Sequence, residues 1–254
     1  MMSAMIKLLA FAAALSMAAP IAAQADPTHL MVRVQALDAK FIGDHMGGVA
    51  ITLKDARTGA VLAEGLTKGG TGDTQRIMRT PRARGDSMTD GATAGFEAVL
   101  DLKRPTLVRA EAAGPVGKPG SSIRVTSNLW VIPGRDILGD GWVLTLPGLV
   151  VEPTASMARG GAVTIAATVA LMCGCPIERG GLWDAANYSV QARLMKGRAL
   201  VATAPLTFTG RTGEYAATVP GVAPGRYVLR VVATDAKTIN AGVSDQKITL
   251  RASN

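Results

Sequence analysis

Apolar side chains recur at every second position in short runs, and a turn rich in glycine, proline, asparagine or aspartate closes each run. Val32, Val34 and Ala36 alternate with Arg33 and Gln35, while Phe96, Ala98, Leu100 and Leu102 alternate with Glu97, Asp101 and Lys103. A period of two turns one face of a strand toward a core and the other toward water. Runs of similar length cover 49–53, 60–66, 106–112, 123–131 and 142–151, bounded by signals such as Arg57-Thr58-Gly59, Gly114-Pro115 and Pro133-Gly134-Arg135-Asp136. Helical spacing is nowhere sustained for the roughly ten residues that a core helix requires. The expectation is an all-β chain.

Pro147-Gly148 and Glu152-Pro153 interrupt the pattern, which restarts at 162–172 and continues through 188–194, 199–208, 214–219, 226–234 and 243–250. Strands at that spacing predict two consecutive β-sandwich domains, 26–152 and 153–254, the first carrying an insertion at 69–94. Residues 1–25 have a different character: Lys7 supplies a positive segment, Leu8 to Met17 an apolar one, and Ala23-Gln24-Ala25 a cleavage site. This is the make-up of a signal peptide, so cleavage after Ala25 and a periplasmic or secreted product are expected. No later stretch approaches the roughly 18 apolar residues of a membrane span.

Charge narrows the partners. The chain carries a net +8, with 15 basic against 14 acidic residues in 26–152 but 11 against 5 in 153–254. Such an excess suits another envelope protein or an acidic surface. Nucleic acid is not expected, because the basic residues are not interleaved with aromatics and no helix-turn-helix pattern is present. Arg76, Arg79, Arg82 and Arg84 crowd one part of the insertion and are candidates for clamping an acidic partner or phosphate groups. Residues 68–73 are glycine-rich but lack the Gly-Lys-Ser/Thr ending of a phosphate loop, and so read as a flexible turn. Gly139-Asp140-Gly141-Trp142 reads as a hairpin turn.

Two stretches resemble known families. Gly48-Val-Ala-Ile-Thr-Leu-Lys-Asp-Ala-Arg-Thr-Gly59, followed by the run from Gly95 to Gly114, resembles the carboxypeptidase regulatory-like, transthyretin-like sandwich over about residues 30 to 114. The insertion at 69–94 stands where that family has a short turn. Pro224-Gly-Arg-Tyr-Val-Leu-Arg-Val-Val-Ala-Thr-Asp235 is similar to the penultimate strand of immunoglobulin-like domains. That resemblance places Tyr227 at the tyrosine corner and Leu229 where antibody domains have a cysteine. Both families consist mostly of binding and spacing modules, which the resemblance implies for this chain.

The chemistry in the sequence lies in Met172-Cys173-Gly174-Cys175-Pro176, which holds the only two cysteines. Alternation from Ile165 puts Cys173 on the inward face just as Gly174 and Pro176 break the strand. Three readings stay open. The sulfurs bond to each other, as an oxidising compartment favours, either as simple structure or as a thiol-disulfide exchange site, because so small a loop gives little entropic stabilisation. Alternatively Cys173, Cys175 and Met172 bind Cu(I), with His45 and Met46 completing the set of soft donors. Or the cysteines serve as small apolar residues. Zinc fits poorly, since its usual ligands reduce to Cys173, Cys175, His29 and His45 on distant segments. Downstream, Leu182-Trp183 is expected to cap the cysteine loop or to plug one end of the sandwich, with Trp183 also a candidate partner contact. Neither histidine stands in a recognisable nucleophile arrangement and no Gly-x-Ser-x-Gly elbow is present. The expected function is thus a non-enzymatic binding module accessory to another envelope protein, with copper binding and thiol exchange as alternatives.

Overall fold

The alternating runs become strands because each has one apolar face to bury and a turn on which to end. A computed structural model describes residues 27–251; the expected signal peptide and its cleavage point lie outside them. The first half comprises β1 (Thr28–Ala36), β2 (Ala50–Asp55), β3 (Val61–Leu66), β4 (Phe96–Leu100), β5 (Thr106–Gly114), β6 (Ile123–Val131) and β7 (Ile137–Leu146). One sheet has the order β4-β1-β7 and the other β3-β2-β5-β6. Leu30, Val32 and Val34 of β1 and Leu144 and Leu146 of β7 share a buried core with Ile51, Leu53, Val108, Ala110 and Ala112 of the second sheet.

The second half contains β8 (Leu149–Met157), β9 (Val163–Leu171), β10 (Ile177–Glu178), β11 (Trp183–Asp184), β12 (Tyr188–Lys196), β13 (Ala199–Phe208), β14 (Glu214–Val219), β15 (Gly225–Asp235) and β16 (Ala241–Leu250). Short β10 and β11 pair with each other, while the other strands form one ribbon, β16-β15-β12-β13-β14-β9-β8. The ribbon folds into two layers because β13 changes partner. Its earlier residues pair with β12, whereas Thr207 and Phe208 pair with β14. Strand β8 then returns against β15 and β16. Val163, Ile165 and Val169 of β9 share the enclosed core with Val190 and Leu194 of β12 and Leu229 and Val231 of β15. This half is an immunoglobulin-like β-sandwich.

The Tyr227 hydroxyl donates to the Ala223 carbonyl at 2.6 Å, closing the turn before β15, and Leu229 fills the position of the absent cysteine with a fully buried side chain. Replacing the hydroxyl alone tests the corner. Tyr227→Phe is expected to cost about 1 kcal/mol, the net worth of one hydrogen bond, seen as a lower urea midpoint at unchanged slope. A midpoint equal to the parent's would show that the turn holds without it.

Two local readings need correction. Arg33, expected on the watery face of β1, is 5% exposed because the insertion lies over it. Its guanidinium donates to the carbonyls of Thr93 and Ala94 and, at 3.1 and 3.2 Å, to that of Gly139. Nor is Gly139-Asp140-Gly141 a hairpin turn. The β1–β7 register jumps from Leu30 opposite Ile137 to Val32 opposite Trp142, so these residues bulge out of a parallel pair. Gly139 and Gly141 both have φ near 67°, a left-handed conformation that glycine adopts at little cost.

The bulge lifts Asp140 toward the insertion. Its carboxylate accepts from Ser87 Oγ at 2.6 Å, Met88 N at 2.9 Å, Thr89 N at 3.0 Å and Thr89 Oγ1 at 2.6 Å. Single bridges at Lys68–Gly95 and Gly70–Thr93 close the base of the insertion, so the stretch read as a flexible turn is fastened. Burial pushes the Asp140 pKa up, but the hydrogen bonds to its charged form outweigh this and hold it at about 2. A depressed carboxylate pKa contributes stability that is present above the unfolded-state value and is lost as pH falls through the folded one. The amide resonances of Met88 and Thr89 are therefore expected to hold their positions through the usual carboxylate range and to move with a midpoint near pH 2. Asp140→Asn should abolish that titration, and a midpoint at the ordinary aspartate value would contradict this anchor.

Candidate functional site: a cleft between the two sandwiches

Alternation along β9 carries Val169, Leu171 and Cys173 to one buried side. The strand ends there because Gly174 adopts φ 69° and Pro176 has no N–H to continue a ladder. Gly174 N donates back to the Leu171 carbonyl at 2.7 Å, forming a tight turn. This turn brings the Cα atoms of Cys173 and Cys175 to 5.3 Å, and their sulfurs are joined at 2.05 Å. Both side chains are buried, at 0% and 3% exposure. Even so, Cys173, Gly174, Cys175 and Pro176 form the floor of a cleft of about 560 Å³.

The cleft has walls from both halves of the chain. Glu178, Gly181, Leu182 and Trp183 come from the second half, and Lys40, His45, Thr71, Thr74 and Arg79 from the first. What holds the walls together is a set of bonds, two of which reach from the segment after β1. The Trp183 indole, 7% exposed, donates from Nε1 to the Asp38 carbonyl at 2.9 Å. Asn240, 1% exposed, donates from Nδ2 to the Leu37 carbonyl at 3.1 Å, and its Oδ1 accepts from Gly148 N at 2.7 Å. Val151 N donates to Ser121 Oγ at 3.1 Å, and Lys118 meets Glu152 at 2.9 Å. All of these bonds except the one between Gly148 and Asn240 cross between the strands up to β7, or their loops, and the part of the chain that follows. Burial raises the Asp38 pKa, with Asp235 raising it further and Lys237 opposing.

His45 and Met46 sit on a short 3-10 turn, Asp44–Met46, ended by Gly47 in the left-handed region. The turn lies directly against the cysteine loop. A Cβ added to Gly174 would stand 2.5 Å from His45 Nε2 and 2.7 Å from Met46 Sδ. Glycine is needed there for its backbone angle and equally for the space that the imidazole and thioether occupy. Met172 goes the other way: it is 1% exposed, its methyl packs on Gly148, and it is absent from the cleft lining. Among the described residues no three His, Cys, Asp or Glu side chains gather into a metal-holding group. The donors around Gly174 are the two disulfide sulfurs that flank it, the His45 imidazole in the cleft lining and the Met46 thioether, which is buried outside that lining.

The four arginines of the insertion separate. Arg79 reaches the cleft wall, whereas Arg76 donates from Nη1 to the Thr89 carbonyl at 3.0 Å inside the insertion. Arg82 and Arg84 are exposed and lie outside the cleft lining. Among the described residues neither Lys40 nor Arg79 is engaged in an ion pair, and the cleft's carboxylate, Glu178, accepts from Thr212 at 2.9 Å. Two cations without carboxylate partners therefore face the space above the disulfide. Lys40, Thr71 and Thr74 carry no sequence signal of their own; only the fold brings them to the cysteine loop.

No protein-family model and no curated protein matches the chain. Among solved structures it is similar to the fibronectin(III)-like modules of Clostridium thermocellum CbhA, at 10% identity, 80% coverage of this chain, 77% of that chain and a TM-score of 0.27. It is also similar to the titin domains Z1Z2 in complex with telethonin, at 10% identity, 91% coverage of each chain and a TM-score of 0.22. The assignment of the sandwiches rests on the strand pairing itself. No helix among the described residues is long and apolar enough to cross a membrane.

Proposed function

We propose that the protein is a non-enzymatic, exported binding module, accessory to another envelope protein, and that it takes its ligand in the cleft over Cys173 and Cys175. The supporting observation is that this cavity of about 560 Å³ draws its walls from both sandwiches; junctions between domains are preferred places for ligand sites of this size. Lys40 and Arg79 favour an acidic segment of the partner. A photo-crosslinker at Leu182, on the cleft lip, is expected to give an envelope adduct that is lost when Lys40 and Arg79 are changed to Glu. The same crosslinker at Leu200, 59% exposed on β13, should not give it. Adducts indifferent to the charge reversal, or common to both positions, would count against the cleft.

A second reading, a periplasmic Cu(I)-binding protein, is favoured by the contact of His45 and Met46 with Gly174. Two cysteine thiolates with a thioether and an imidazole form a donor set that selects a soft monovalent ion over hard cations. Reduced protein is expected to withdraw Cu(I) from a chromophoric chelator, and Cys173→Ser/Cys175→Ser to lose that ability. Equal uptake by the two proteins would remove this reading.

A further inference from the structure

We infer, resting on the Cu(I) reading, that the Cys173–Cys175 disulfide is a redox gate over the copper site. The sulfurs that would bind the metal are the same two that are bonded to each other, and thiolate rather than disulfide sulfur is the strong ligand. Oxidised, the cleft lining offers the His45 imidazole alone of these donors, and the Met46 thioether lies against Gly174 outside that lining. Reduced, it offers two sulfurs more.

The chemistry balances with a dithiol as reductant and a disulfide as oxidant. A thiolate of the dithiol attacks one sulfur of the pair, the Cys173–Cys175 bond breaks, and a mixed disulfide forms. The second thiol of the reductant then displaces the protein sulfur. Two electrons and two protons pass to Cys173 and Cys175, and the reductant leaves as a disulfide. Cu(I) binding next releases the two thiol protons, since the ligands are thiolates. Oxidation runs the exchange in reverse: the thiolates give two electrons to an incoming disulfide, their own bond re-forms, and Cu(I) is released without changing its oxidation state.

The cleft suits such a gate. The cysteine side chains are almost wholly buried, yet they form its floor, so a reductant must enter to reach them. Lys40 and Arg79 on the walls favour an acidic approach segment. Gly174 lets the turn carry the pair while leaving room for His45 and Met46 against its own α-carbon.

The test uses full-length exported protein purified without reductant and divided in two. One portion is reduced and desalted under argon, the other is left as isolated, and both compete with a chromophoric Cu(I) chelator. The reduced portion is expected to withdraw one Cu(I) per chain. The oxidised portion should be weaker by more than the roughly 100-fold that even an outer-shell change costs a metal site. Adding a small-molecule disulfide to the loaded protein should return the copper to the chelator. His45→Ala and Met46→Leu are expected to weaken the reduced form, with an unchanged far-ultraviolet spectrum reporting the intact fold. If the oxidised portion binds as tightly as the reduced one, the gate is overturned while the copper reading stands. If neither withdraws copper, both fall.

Discussion

Trp183→Ala is expected to lower the unfolding free energy by roughly 3 to 5 kcal/mol, the range for truncating a large buried aromatic. The indole is 7% exposed and packed in the common core, so its loss removes apolar contacts that water will not replace. It also leaves the Asp38 carbonyl without the donor that now stands 2.9 Å away. Trp183→Phe separates the two contributions: it retains a ring and loses the N–H, and should cost about 1 to 2 kcal/mol. Because Trp183 is also a cleft wall, the alanine variant should let a small dithiol reduce Cys173–Cys175 faster. A loss of stability below that of the phenylalanine variant, with no change in reduction rate, would mean that Trp183 is neither plug nor wall.

The second large effect is expected at Asn240. Asn240→Ala leaves the Leu37 carbonyl and the Gly148 N–H buried with no amide between them, and two such groups cost roughly 2 to 5 kcal/mol together. Asn240→Asp should be worse at neutral pH, since a carboxylate oxygen would then confront the Leu37 carbonyl in a site that is 1% exposed. The loss falls on the junction rather than on either core. Calorimetry of the alanine variant is therefore expected to resolve two transitions where the parent shows one, a departure from two-state behaviour. A single transition at the parental temperature would show that the halves hold together by other means.

Strand positions were legible because a period of two survives translation into structure: Val32, Val34 and Ala36 are buried as alternation requires. The same rule fails at Arg33, whose surroundings are supplied by an insertion sixty residues on and by the Gly139 bulge. Periodicity reports which side of a strand a residue lies on, and says nothing of what a distant segment later places over that side. Asp140 was hidden for the same reason. A Gly-Asp-Gly string fits a hairpin turn as well as a bulge, and only the pairing of β7 with β1 distinguishes them.

The candidate site was legible in part. The cysteine pair stands out in composition alone, and the tie between Tyr227 and Ala223 follows from a local motif. The approach of His45 and Met46 to Gly174 spans more than a hundred residues of chain and has no local signature. Met172, adjacent to Cys173 in sequence, is directed to Gly148 instead, because alternation sends neighbouring side chains to opposite sides of a strand end.

The claim that the cysteine loop and the Asp44–Met46 turn form a single site is tested most directly by methionine-methyl and histidine-ring resonance spectra of the reduced protein before and after an equimolar addition of Cu(I). The Met46 methyl and the His45 ring signals are predicted to shift together while the Met172 methyl stays in place. Movement of Met172 with Met46 unchanged, or no movement of any methyl group, would contradict the account.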